Sequence, residues 1–231
     1  MPRVARGLAD GLIYHIINRG NGRQEVFHKE QDYLAFAEIM KEALEKFPDR
    51  LYAYCLIPNH FHLLVAPESA NDLSKLMQWF MTSHVRRYHR HYQTSGHIWQ
   101  GRVKSFIVQD DSHLLTVIRY IEGNAVRAGL AASAIQWKWS SHPERVSGDT
   151  GILSGLPIAL PDDWTNYVDE PQTDSELEKL RRSVNRQTPY GDEEWQIQIS
   201  NKLGLGSTMN ARGRPKTREG KSSLFECISK S

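Results

Sequence analysis

The run Pro58-Asn59-His60-Phe61-His62-Leu63-Leu64-Val65 sets two histidines one residue apart at the head of an apolar stretch. On a β-strand, alternate side chains share a face. His60 and His62 then point one way, and Phe61, Leu63 and Val65 the other. Two imidazoles so spaced can bind one metal ion, and neutral imidazole accepts harder cations when oxygen ligands help. Taken alone, a polar sheet face is the plainer reading. A second constellation lies downstream. Leu114, Leu115, Val117, Ile118 and Ile121 form an apolar helical stripe, with His113, Thr116, Tyr120, Asn124 and Arg127 on the stripe beside it. Tyr120 and Asn124 are four residues apart, so they stack on one face. A phenol, an amide and a guanidinium make a candidate polar site, against a plainer reading in which Tyr120 edges the core and Asn124 ends the helix. A free tyrosine, with a pKa near 10, is a weak nucleophile at neutral pH. A bound cation offsets that by polarising a phosphate and stabilising developing negative charge. No dedicated general base stands out, His113 being the nearest candidate.

The elements that must position these residues follow from periodicity. Leu12–Ile17 reads as a strand, followed by the turn-rich run Asn18–Gln24. Glu30–Phe47 has helical spacing at Tyr33, Leu34, Ala37, Met40, Ala43 and Leu44, and Pro48-Asp49 ends it. Leu51–Ile57 and Phe61–Ala66 read as a hairpin around Pro58-Asn59. Asn71 or Asp72 can cap a long helix to about Tyr92. Val103–Val108 is a fourth strand, and Asp110 and Asp111 cap a helix running to about Val126. The order β-α-β-β-α-β plus a helix predicts an α+β, ferredoxin-like antiparallel sheet with helices on one face. The Trp137–His142 stretch is a candidate anchor returning to the core. Residues 1–145 are expected to form the catalytic domain, and residues 146–231 a small helical extension with a basic tail.

Several words of the sequence, in order, resemble one family. They are His15–Phe27 (HIINRGNGRQEVF), Tyr54–Val65 (YCLIPNHFHLLV), Gly96–Ser105 (GHIWQGRVKS), Arg119–Leu130 (RYIEGNAVRAGL), and the tail words LRRSVNRQTPYG and LGLGSTMNARGRP. Together they span most of the chain and are similar to the HUH tyrosine transposases, in particular the REP-associated branch. The resemblance implies that His60, His62 and Asn124 hold a divalent ion, Mg²⁺ or Mn²⁺. It implies that Tyr120 attacks a phosphodiester of single-stranded DNA, forming a 5′-phosphotyrosine link and releasing a 3′-OH that can reverse the reaction. It implies hairpin or palindromic DNA as partner and a working monomer, with a homodimer as the alternative. The family usually has Pro after the Asn. This chain has Ala125, which allows the helix to continue. The rival reading is a DNA-hairpin binding protein that keeps the fold without the chemistry.

Candidate DNA contacts are Arg19, Asn21 and Arg23 in the turn after the first strand, which can read base edges or hold phosphates. Trp99 can stack on an unpaired base, with a packed loop anchor as the plainer reading. Arg102, Lys104 and Arg127 can neutralise backbone phosphates. Arg86 and Arg87 head a basic run on the long helix. Arg212 and Arg214, in an Arg-Gly-Arg core, fit a narrow minor groove. Bulk composition adds bounds. The formal net charge of +2 proves no partner, and 39% apolar residues in 231 suffice for one sizeable core. Two distant cysteines, Cys55 and Cys227, supply neither a disulfide framework nor a paired-Cys zinc site, which fits a reducing cytoplasm. No apolar run approaches the ~20 residues of a membrane span.

Overall fold

The computed structural model describes residues 7–149 and 151–210. Four strands, β1 (Ile13–Arg19), β2 (Arg50–Ile57), β3 (His60–Ala66) and β4 (Lys104–Val108), pair antiparallel in the order β2-β3-β1-β4. This is the expected α+β arrangement. Helix α1 (Glu30–Lys46) joins β1 to β2, and α2 (Ala70–Tyr92) joins β3 to β4. Both lie on one face of the sheet, as the ferredoxin-like order predicts. Helix α3 (Ser112–Glu122) covers the other face.

The alternation of β3 builds both layers. Phe61, Leu63 and Val65 pack with Phe36 of α1 and Leu76 and Phe80 of α2. Leu64 and Ala66 pack on the opposite side with Val117, Ile118 and Ile121 of α3. All seven residues of β3 are buried, so it is a central strand rather than one with a wet polar face. Helix α1 buries Tyr33, Phe36, Ile39, Met40 and Ala43, an i, i+3, i+4 stripe. Leu34, read from the sequence as part of that stripe, faces outward and is 47% exposed. Asp32 secures the start of α1 by accepting from the backbone N–H groups of His28 and Lys29 at 2.8 and 3.1 Å. Helix α2 starts at Ala70, before the expected caps, and Ser69 precedes it.

Two departures concern the helix expected to run to Val126. Asp111 caps its start, accepting from the N–H of His113 at 2.8 Å. Its regular course ends at Glu122, however. Gly123 interrupts it, and the short turn α4 (Asn124–Arg127) resumes. The expected continuation to about Val126 breaks at Gly123, whose ψ of 4° departs from the helical value, and the space there is tight for a side chain. A β-carbon at 123 would lie 3.0 Å from Arg127 Nη1, 3.1 Å from the Arg119 carbonyl oxygen and 3.2 Å from the Val168 carbonyl oxygen. The bend brings Arg127 back along the helix end.

The chain beyond Leu130 closes both edges of the sheet. Trp139 carbonyl oxygen accepts from Leu56 N–H at 2.8 Å, and Trp137 Nε1 donates to Leu56 carbonyl oxygen at 2.9 Å, so the expected tryptophan anchor sits on the β2 edge. On the β4 edge, Tyr190 N–H donates to Ile107 carbonyl oxygen at 2.7 Å and accepts at its own carbonyl from Gln109 at 2.9 Å. Unpaired edges invite foreign strands, and these bonds remove them. Helices α5 (Ser141–Ser147) and α6 (Trp164–Asp169) meet α3 at Glu122, whose side chain is fully buried. Ser141 Oγ (2.6 Å), His142 Nδ1 (2.9 Å), Arg145 Nε (2.9 Å) and Trp164 Nε1 (2.7 Å) all donate to its two oxygens. Burial alone would raise its pKa. The His142 bond, the Arg145 charge and the Ser141 bond outweigh it, and the pKa is lowered. Helices α7 (Asp174–Arg186), α8 (Glu193–Lys202) and α9 (Gly206–Met209) complete the described chain, and Leu180, Ile199 and Leu205 enter the two cores.

Candidate active site

The α3 face of the sheet is apolar except at one end, where β1, β3, α3 and α4 meet. His60 and His62 project there from β3, 8% and 1% exposed, with ring centroids 5.0 Å apart. Asn124 opens α4 with its amide nitrogen 3.0 Å from His62 Nε2. One turn earlier, the Tyr120 ring stands edge-on to His62, centroid to centroid 5.6 Å. The fold thus joins the His-x-His strand to the Tyr–Asn helix stripe across nearly 60 residues of sequence.

Two arginines flank this group. Arg127 lays its guanidinium over the Tyr120 ring, 4.2 Å from the centroid, and donates to the Tyr120 carbonyl oxygen. Arg19 is the β1 residue opposite His60. Burial, with added repulsion from Arg19 and Arg127, lowers the His60 pKa to about 3. Burial and the same charges, together with the neighbouring imidazoles, put that of His62 well below its ordinary value. Both rings are therefore neutral at physiological pH and hold a lone pair for a ligand or a proton.

The hydrogen bonds say which nitrogen carries it. Asn59 Nδ2 donates to Arg23 carbonyl oxygen at 3.4 Å, which turns Asn59 Oδ1 toward His60 Nδ1 at 2.7 Å. Nδ1 of His60 is then the N–H, and its Nε2 is the free lone pair. His62 Nε2 accepts from Asn124, and its Nδ1 meets His15 Nε2 at 2.7 Å. Two neutral imidazoles with unprotonated Nε2 atoms and one carboxamide fit a divalent cation that takes its remaining ligands from phosphate and water, with the Asn124 amide turning to present Oδ1 in place of the Nδ2 that donates to His62. Among the described residues, no group of three or more His, Cys, Asp or Glu side chains is placed to hold a metal. The candidate set is short of negative charge.

Three loops are laced together at this end of the sheet. Gly20 N–H donates to Asn59 carbonyl oxygen (2.8 Å), Asn21 N–H to Ile98 carbonyl oxygen (2.8 Å), and Gln100 N–H to Arg19 carbonyl oxygen (2.7 Å). They bring the exposed Asn21, Arg23 and Arg102 to the end where β3 begins, and Lys104 follows, exposed, at the start of β4. Arg86 and Arg87 are exposed on α2, in the layer across the sheet from the histidines.

Trp99 corrects an expectation. It is 5% exposed, packs among Phe27, Phe36, Phe61 and His84, and donates its Nε1 to His84 Nδ1 at 3.3 Å. It offers no ring face to a base. The bridge between Gly20 and Trp99 explains why: it pulls the loop onto the core. His113 is bound to Asp111 at 2.8 Å at the start of α3, two turns from Tyr120. Arg212 and Arg214 lie outside the described residues. His15 is the residue that motif reading passed over. It was visible as the lone polar side chain within the apolar run Leu12–Ile17, but its partner depends on strand register.

The sequence matches the family described as "Transposase IS200 like" over residues 9–124. A protein of Haemophilus influenzae described as a REP-associated tyrosine transposase is 27% identical over 150 residues, covering 60% of this chain and 80% of that protein. Among solved structures, a REP-associated tyrosine transposase bound to a REP hairpin aligns with a TM-score of 0.54 and 18% identity, over 75% of this chain and 99% of the other. No helix among the described residues is long and apolar enough to cross a membrane. The family match covers β1 to Asn124, and with it every residue of the cluster around His62, and the chain belongs to the IS200-like transposases.

Proposed function

We propose that this chain is a metal-dependent endonuclease and strand transferase of single-stranded DNA, acting on hairpin or palindromic repeats through a 5′-phosphotyrosine link at Tyr120. The observation that carries this is the packing of the Tyr120 ring against His62, with Asn124 one turn further on and 3.0 Å from the same imidazole. A divalent ion, Mg²⁺ or Mn²⁺, held by His60, His62 and Asn124 would supply Lewis acidity toward a phosphate oxygen.

The side chains account for the rest. Tyr120 Oη attacks phosphorus, a bond forms between them, and the bond from phosphorus to the 3′ oxygen breaks. The phenol proton is lost to water and the leaving 3′ oxygen gains one, so protons balance. Arg127 fixes the ring plane by stacking on it and gripping the carbonyl of the same residue. Arg19 and Arg127 oppose phosphate charge from two sides. A 3′-OH that attacks the phosphotyrosine reverses the step and rejoins strands. Asn21, Arg23, Arg102 and Lys104 supply phosphate and base-edge contacts around the site, and Arg86 and Arg87 extend the basic surface. The network at Glu122 ties α3 to α5 and α6 of the same chain, which supports a monomer as the working unit.

The test is a covalent-adduct assay on labelled hairpins with short 5′ flanks, with Mn²⁺ or EDTA. An SDS-resistant band that needs both the metal and Tyr120, and disappears in Tyr120→Phe while hairpin binding persists, is the expected result. Tight hairpin binding without a band under any metal would replace this reading with a non-catalytic binding protein.

A further inference from the structure

His62 has a partner that its proposed role as a ligand does not require, and that folding alone would not select. His15, from β1, is fully buried, and its ring lies nearly parallel to that of His62, 11° apart with centroids 4.9 Å away. Its Nε2 stands 2.7 Å from His62 Nδ1. One proton lies between two nitrogens at that distance, and the far side of His62 settles whose it is. His62 Nε2 faces the Asn124 amide nitrogen at 3.0 Å, and an amide nitrogen only donates. Nε2 is therefore the lone pair, and the single proton of the neutral ring is on Nδ1, donated to His15. His15, accepting at Nε2, keeps its own proton on Nδ1. That atom is buried, without a hydrogen-bond partner among the described residues.

An orphaned buried donor is costly. Phe106 meets the His15 ring edge-on at 4.7 Å; an apolar ring at position 15 would remove this orphan but strand the buried Nδ1–H of His62 instead. The arrangement weakens the core in order to present an acceptor to His62. His60 is served the same way by Asn59 Oδ1. Each histidine of the pair then has a partner that holds the proton on Nδ1 and leaves Nε2 unprotonated. Such partners fix tautomer and ring orientation and raise ligand basicity.

The geometry points to His15 as the positioning residue that holds His62 with Nε2 unprotonated, its lone pair available to a cation once the Asn124 N–H gives way. This rests on the metal-site reading above. Three measurements test it. In metal-free, ¹⁵N-labelled protein, long-range ¹H–¹⁵N imidazole spectra are expected to show His62 protonated at Nδ1. In a Mn²⁺ titration followed by the EPR signal of free Mn²⁺, His15→Phe is expected to bind about 10- to 100-fold more weakly. His15→Gln, whose Oε1 can accept from Nδ1, is expected to recover most of the affinity. Thermal melts confirm that both variants fold. A wild-type His62 protonated at Nε2 overturns the proposal, as does a His15→Phe protein that binds Mn²⁺ like wild type or a Gln variant as weak as Phe. Wild-type protein that binds no Mn²⁺, even with hairpin DNA, overturns the metal-site reading and this proposal together. An unaffected His15→Phe beside a wild type that binds overturns this proposal alone.

Discussion

Phe61 and His62 are neighbours on β3, 0% and 1% exposed, yet they look into different layers. Phe61 meets Phe36, Phe80 and Trp99, a layer bound by aromatic packing. His62 meets His15, His60, Asn124 and Tyr120, a layer bound by directed hydrogen bonds and ring edges. Equal burial does not mean equal duty. The first layer spends its buried area on stability. The second places neutral lone pairs and a phenol within one small volume. The histidine of the first layer, His84, makes the point by contrast: Trp99 occupies its Nδ1, and aromatic rings surround it.

Neighbouring substitutions on β3 test this division most sharply. Phe61→Ala is expected to cost about 3–5 kcal/mol of stability through lost burial and a cavity. His62→Gln is expected to keep the fold by thermal melt and to reduce adduct formation by at least about 100-fold. If instead His62→Gln melts as low as Phe61→Ala, the polar layer is structural and the comparison fails.

Glu122 ties the polar layer to the chain beyond Leu130. Glu122→Ala strands four buried donors and is expected to cost about 3–5 kcal/mol, read by chemical denaturation. A variant with wild-type stability would show that α5 and α6 do not hold α3.

Acid sharpens the comparison. His15 and His60 have pKa values lowered by burial to about 3, and His84 to about 4, so the unfolded chain binds more protons than the native one below its ordinary histidine pKa of 6.5. These groups leave stability intact above pH 6.5, and it declines as pH falls from there toward 3. Most of that slope belongs to the polar layer. His84→Gln is expected to remove only one proton's share, and a slope that vanishes in this variant would contradict the assignment.

The smallest effect is expected at the helix break. Gly123→Ala forces a β-carbon against Arg127 Nη1 at 3.0 Å. About 1 kcal/mol of stability is expected to be lost, together with a drop in adduct yield as the guanidinium leaves the Tyr120 ring. Unchanged yield would remove Arg127 from the site.

Much of this was legible beforehand because it is local. The period-2 pattern of His60–Val65 assigned two faces, and the stripe Leu114–Ile121 placed Tyr120 and Asn124 on one side of a helix. What was not legible depends on contacts far apart in sequence. His15 gains meaning only when β1 pairs with β3 so that Ile17 lies opposite His62. Trp99 read as a base platform because nothing in its own loop reveals the bridge to Gly20 that buries it. The crowding that favours glycine at 123 comes in part from the Val168 carbonyl oxygen, 45 residues later in the sequence. The edge bonds from Trp139 and Tyr190 come from stretches with little periodicity of their own.

The central claim is that the polar layer exists to set one phenol against one phosphate. The chain has nine tyrosines, and peptide mass mapping of the covalent protein–DNA adduct identifies the one that reacts. The account predicts a nucleotide remnant on the peptide containing Tyr120 and on no other. A remnant on a different tyrosine, or an adduct that survives Tyr120→Phe, would contradict it.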